Sequence, residues 1–148
     1  MVGALRGALT SPFFSPTTLV VKMVNDKLMS LYVPVYQQIL NRWLVEVGIN
    51  SGLVLLFITE RTLRWGKEWE YIPQRHFIFG VTDVRTGEAL HSGLPVSKST
   101  LWACLSDVEE RGLVGTMKGK GTSRGNRYCV HVERILAPLI RERALKSV

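Results

Sequence analysis

Pro95-Val96-Ser97-Lys98-Ser99-Thr100-Leu101-Trp102-Ala103-Cys104-Leu105-Ser106-Asp107-Val108-Glu109-Glu110-Arg111-Gly112-Leu113-Val114 carries a complete helix signature. Leu101, Cys104, Leu105 and Val108 recur at helical spacing and make one apolar face. Ser97 stands where an N-cap is wanted, because its hydroxyl can accept a hydrogen bond from an orphan N–H of the first turn. Gly112 comes just past the last turn, where a left-handed conformation is cheap for glycine. The opposite face is small and polar. Ser99, Ala103 and Ser106 lie along it, with Lys98, Thr100 and Trp102 at the N-terminal flank. The acids Asp107, Glu109 and Glu110 collect at the other end, where each opposes the helix dipole by at most a few tenths, roughly, of a kcal/mol.

The residues beyond the helix sharpen its meaning. Val114 to Met117 and Tyr128 to Val132 are β-prone, and the glycine-rich run Lys118 to Arg127 between them predicts a hairpin. Lys118, Lys120, Arg124 and Arg127 lie between Gly112 and His131, a span without an acid. Glycines let a backbone approach another surface closely, and Lys and Arg neutralise phosphates. A helix that enters a DNA major groove needs short donors and acceptors near its N-terminus, since bulk there holds the backbone away from base edges. Helix, glycine stop and basic hairpin together make a winged helix-turn-helix arrangement. The expected fold is α+β, mainly α, with an extra N-terminal arm and a C-terminal helix. The expected divisions are an arm or short strand over 1–30, the DNA-binding domain over 31–132 and a basic helix over 133–148.

Composition agrees with such a domain. With 148 residues the chain can bury a substantial core, and 21% charged residues with abundant aliphatics do not describe a disordered chain. The net charge of +7 points to a polyanionic partner, more so because the charge is clustered. Two cysteines, Cys104 and Cys129, make no disulfide framework and read as core thiols, which fits an intracellular protein. The longest apolar run, Leu53 to Ile58, falls far short of the roughly 20 residues that span a bilayer. Met1 to Pro16 has no continuous apolar segment of the secretory kind. The expected location is the cytoplasm, in association with the nucleoid, with no membrane partner.

Upstream, Thr17 to Val24 is β-branched and reads as an edge strand, and Asn25 to Ser30 as a turn or short helix. Pro34 is placed to open a helix that carries Val35, Ile39, Trp43, Leu44 and Val47 and ends at Gly48. Asn50 or Ser51 is the expected cap of the next helix, which runs to about Trp65 and is apolar all round in its middle. Glu70-Tyr71-Ile72 reads as a short strand, and Pro73 opens a brief helix, Gln74 to Gly80. This would be the supporting helix of the motif. The link from Val81 to Leu94 is long for a helix-turn-helix, whose turn is normally about 3–4 residues. After the hairpin, Val132 to Lys146 reads as a basic helix that Pro138 kinks or divides.

The order of these pieces resembles a known family. Tyr32-x-Pro34, Ile58-x-x-Arg61-x-x-x-x-Trp65-Gly66-Lys67-x-Trp69-x-x-Ile72-Pro73, Val96-Ser97-Lys98-Ser99-Thr100-Leu101 and Glu109-Glu110-Arg111-Gly112-Leu113-Val114 together resemble the N-terminal domain of bacteriophage replication proteins of the lambda O type. The resemblance covers roughly residues 31 to 132. Its serine-rich and Glu-Glu-Arg-Gly pieces are generic to winged helices; the Arg-x-x-x-x-Trp-Gly-Lys stretch points to the phage family. In that family the domain binds repeated origin sites, and a separate C-terminal region recruits the replicative helicase. Nothing in these residues matches that second region, so the expectation carried over is DNA binding. The resemblance implies that Lys98, Ser99, Thr100 and Trp102 face the groove and that Lys118 to Arg127 face the backbone.

The function expected first is therefore sequence-specific binding of double-stranded DNA, without enzymatic activity, in transcription regulation or replication control of a phage or mobile element. Lys98, Ser99, Thr100, Trp102 and Ser106 would read or hold the groove, and Lys118, Lys120, Arg124 and Arg127 would hold phosphates. A homodimer reading two half-sites and a replication or transcription protein are further candidate partners. The alternative is a protein-interaction module on the same fold, anchored by Trp43, Trp65, Trp69 or Trp102. A metal-dependent nuclease is the third reading. His76, His91 and His131 lack metal-ligand spacing and no carboxylate cluster accompanies them, so no catalytic, metal or cofactor residue is assigned.

Overall fold

In the computed structural model, which describes residues 16–119 and 125–137, the chain is α+β and mainly helical. Helix α1 is Pro16–Gln38, followed by a π-helical turn Ile39–Trp43, a short α2 Leu44–Val47 and α3 Ile49–Thr62, which tightens into a 3₁₀ turn, Leu63–Trp65. Strand β1 is Glu70–Ile72, helix α4 Gln74–Phe79, strands β2 Val81–Thr82 and β3 Ala89–His91, helix α5 Lys98–Glu110, and strands β4 Val114–Met117 and β5 Asn126–Val130. Residues 132–137 are helical again. None of the helices among the described residues is long and apolar enough to cross a membrane.

The first helix departs from expectation. Thr17 to Val24, read as a strand, and Asn25 to Ser30, read as a turn, lie inside α1, so the division at residue 30 falls within one helix. β-branched residues lower helix propensity by well under about 1 kcal/mol each, and tertiary packing overrides that. Leu28, Leu31, Val35 and Ile39, spaced by three or four, form the face that packs into the core. Pro34 does not open the helix but sits within it. Its ring is exposed, and it leaves the Ser30 carbonyl without its usual N–H partner. The π-helical turn after α1 closes with Trp43 buried, its indole N–H donating to the Ile135 carbonyl at 2.9 Å. That bond ties the turn after α1 to the last described turn of the chain.

α3 is the centre of the domain. Val54, Leu55 and Ile58 are fully buried. Thr59 and Thr62 are buried too, and each hydroxyl donates within the helix, to the Leu55 and Ile58 carbonyls at 2.8 Å. The expected Asn50 or Ser51 cap is absent. Gly48 alone separates α2 from α3 and stands at the N-cap position, without a side-chain cap bond. Ser51 lies inside the first turn and reaches across to α5 instead.

The sheet order is β1-β5-β4, antiparallel throughout, with Tyr71 opposite Arg127 and Arg127 opposite Met117. Its inner face meets the helices through Tyr128, whose ring stands edge-on to Phe77 at 5.7 Å, and Phe77 in turn packs on Phe57 at 5.0 Å. The long link between α4 and α5 resolves into a β2-β3 hairpin that leaves and returns at one point. Gly80 and Gly93 stand back to back, both at φ 81°, and a Cβ on Gly80 would lie 2.7 Å from the Gly93 nitrogen. Only glycine at both positions lets the two backbones meet. Leu94 N–H then donates to the Phe77 carbonyl at 2.7 Å, so α5 follows α4 in space despite the inserted residues.

Both cysteines are free and buried. The expected C-terminal helix is present over 132–137, with Ile135 fully buried; Pro138, Arg141, Arg143 and Lys146 lie outside the described residues, as does the arm before Pro16.

Candidate nucleic-acid interface

α5 is built as its sequence reads. Ser97 Oγ accepts from the Thr100 N–H at 3.2 Å and also lies 2.9 Å from Thr100 Oγ1 and 3.2 Å from Ser99 Oγ. The cap thus orders three hydroxyls on one turn. Leu101, Cys104, Leu105 and Val108 are buried, and Gly112 at φ 73° turns the chain into β4. Lys98, Ser99, Trp102, Ala103 and Ser106 are exposed, and Thr100 is half-buried. From Ser99 to Ser106 this face runs about 10 Å along the helix axis. The first turn holds no acid, so its free N–H groups and Lys98 leave that end electropositive.

The acidic end of α5 is occupied structurally. Asp107 accepts from Arg111 Nε at 2.9 Å and from the Ser51 hydroxyl at 3.0 Å. The Ser51 bond links α5 to α3, on a helix whose exposed face is set by the burial of Leu101, Cys104, Leu105 and Val108. Ser51 was not legible as such a residue, because its partner is 56 positions away.

The hairpin after α5 is pinned at its stem. Asn126 Oδ1 accepts from the Gly119 N–H at 3.0 Å, across the base of the tip. Lys118 is exposed at the end of β4; Lys120 and Arg124 lie outside the described residues. Between α5 and this stem is a cleft of about 160 Å³ lined by Gln74, Leu101, Trp102, Leu105, Asn126 and Tyr128, among others. Trp102, 47% exposed, lines this cleft together with Asn126 of the hairpin stem. Lys98, Ser99, Thr100, Trp102 and Ser106 therefore share one element, with the Lys118 arm beside it.

Arg127 stands apart from that group. By strand alternation it points to the side of the sheet opposite Tyr128. There its guanidinium carbon lies 5.3 Å from the Tyr71 ring centre and 5.7 Å from that of Trp69. No motif marks this aromatic pair in the sequence; the alternation along Trp69-Glu70-Tyr71 is the one signal that could have found it.

A second polar cluster joins α3, α4 and the β2-β3 hairpin. Arg61 Nη1 is 3.1 Å from His76 Nδ1, and Glu60 pairs with Arg64 at 2.6 Å and with His91 at 3.3 Å. Burial, and then the Arg61 charge, hold His76 below the ordinary imidazole value. Burial likewise pushes the Tyr128 hydroxyl and the Cys129 thiol up. Among the described residues no three His, Cys, Asp or Glu side chains gather as metal ligands would.

Comparison with known proteins finds no matching family model, no matching curated protein and no matching solved structure.

Proposed function

We propose that this chain is a winged helix-turn-helix protein that binds double-stranded DNA in a sequence-dependent way. α4 is the supporting helix, α5 the reading helix and the β4-β5 hairpin the wing. The observation that carries this is the exposed face of α5: capped, electropositive at its N-terminus, lined by short side chains and flanked by a basic hairpin on the same core. Ser99 and Ser106 make short hydrogen bonds at base edges, and Lys98 contacts a phosphate or a guanine edge. Thr100 orients the first turn, and Trp102 packs where helix and wing converge. Lys118, Lys120 and Arg124 hold the backbone of the duplex. Replication control or transcription regulation in a phage or mobile element is the setting the sequence resemblance suggests.

The test separates groove from backbone. Lys120→Ala with Arg124→Ala should weaken binding to every duplex and reduce the slope of log affinity on log salt by about 1.8, at about 0.9 per phosphate contact. Ser99→Ala with Ser106→Ala should narrow the gap between cognate and scrambled duplexes while leaving that slope unchanged. An unchanged affinity in the first variant removes the wing from the interface.

One observation favours a protein partner as a second reading. Trp65, 60% exposed, and Leu90 line a groove with Arg61, Arg64 and Lys67 on the flank that carries the β2-β3 hairpin. A nuclease-resistant complex that Trp65→Ala abolishes would establish it.

A further inference from the structure

The outward face of the β1-β5-β4 sheet is turned away from the helical core, and its side chains are set by the strand pairing. One cross-strand row is Tyr71, Arg127 and Met117. In the next, Gly115 stands opposite Cys129, and Trp69, just before β1, lies beside them. Gly115 leaves room for the indole to lie across the sheet: a Cβ there would sit 3.4 Å from Trp69 Cη2 and 2.8 Å from Cys129 Sγ. The Arg127 guanidinium is held over both rings. Tyr71 is 36% exposed on an edge strand and Met117 43% exposed on the other. Of the neighbouring acids, Glu70 pairs with Lys67 at 2.6 Å, and Glu68, whose charge acts on Cys129, borders this face from a groove it lines with Val24, Leu28 and His131.

A solvated sheet face ordinarily carries polar side chains. Here it carries two rings with a planar cation between them, then an exposed apolar side chain. Core packing accounts for part of Trp69, which covers Cys129; it does not account for Tyr71, which stands at the solvent edge of the sheet. Rings and guanidinium planes on a basic surface stack unpaired bases, whose apolar faces are hidden inside a duplex. We propose that this sheet face binds single-stranded polynucleotide, with bases stacking on Tyr71 and Trp69 and Arg127 holding both the stack and its phosphates. The site goes beyond the duplex reading, because it lies on the opposite side of the sheet from the core that seats α5.

The experiment measures fluorescence anisotropy of labelled oligo(dT), oligo(rU) and a duplex with the full chain at low salt. Wild type binds oligo(dT) or oligo(rU), and whichever is tighter identifies the natural strand as DNA or RNA. Tyr71→Ala weakens that binding five-fold or more, on the scale of about one lost base stack. Tyr71→Phe, which keeps the ring, restores it, and Arg127→Lys, which keeps the charge but not the plane, weakens it. Duplex affinity of Tyr71→Ala stays within about two-fold of wild type, while Ser99→Ala with Ser106→Ala shows the reverse pattern. Absence of single-strand binding at low salt overturns the site, as does equal binding by wild type and Tyr71→Ala. Single-strand binding without duplex binding leaves this site standing and removes the duplex reading instead.

Discussion

Phe77 is the side chain on which α4, α3 and the sheet converge, and Phe77→Ala tests that convergence. Its ring is fully buried, 5.0 Å from Phe57 and 5.7 Å from Tyr128. Truncating a buried phenylalanine costs about 3–5 kcal/mol, and each of the two ring pairs adds roughly 0.5–1.5 kcal/mol beyond area burial. These argue for the upper half of the range. The cleft of about 160 Å³ beside Phe77 argues the other way, since Trp102 and Gln74 border it and can close part of the new void. The expected loss is therefore about 3–4 kcal/mol. With an m-value of about 2 kcal/mol per M, the urea midpoint should fall by somewhat under 2 M at constant m. Phe77→Leu keeps most of the volume and should cost about 1 kcal/mol. Unfolding monitored by far-ultraviolet circular dichroism reads both. A loss below about 1 kcal/mol for Phe77→Ala would refute the packing of α4 against α3 and the sheet.

Ser97→Ala should cost about 1 kcal/mol of stability, the typical value of a lost N-cap, and weaken duplex binding further by loosening Ser99 and Thr100; urea unfolding and a duplex titration check the two effects. Acidification should destabilise the fold through His76. Its folded-state value lies below the ordinary 6.5, so the neutral ring is favoured by folding; its contribution is complete above about 6.5 and is lost as pH falls from there through the lower folded-state value. His76→Gln, which cannot titrate, should therefore show a shallower fall in unfolding free energy between about pH 7 and pH 5. A parallel fall in both proteins would assign the acid sensitivity elsewhere.

Where the chain carries local signals, they translate directly into structure. Ser97 and Gly112 bound α5 because a cap and a left-handed stop act on the nearest backbone, and the helical spacing of Leu101 to Val108 is its buried face. The glycine-rich run gives a hairpin for the same local reason, and Pro73 does open α4. The failures are all contests between local preference and packing. Thr17 to Val24 favours a strand in isolation, yet it belongs to a helix whose later turns bury Val35 and pack Leu28 and Leu31 against the core. Pro34 looks like a helix start and is carried inside one, because the apolar face runs past it on both sides. Ser51 looks like a cap and instead reaches Asp107, a partner no local window contains. At the candidate interface, the α5 residues were legible because one helix face carries them. The Trp69-Tyr71-Arg127 arrangement was not, because it exists only once β1 pairs with β5 across more than fifty residues of chain.

The most direct test of duplex recognition is binding of the full chain to the genomic DNA flanking its own coding sequence, against a scrambled duplex of equal composition, at two salt concentrations. Sequence-dependent recognition through α5 predicts tighter binding to the native duplex at both salts, with both affinities falling steeply as salt rises. Equal affinity for the two duplexes, or no binding at the lower salt, would contradict it.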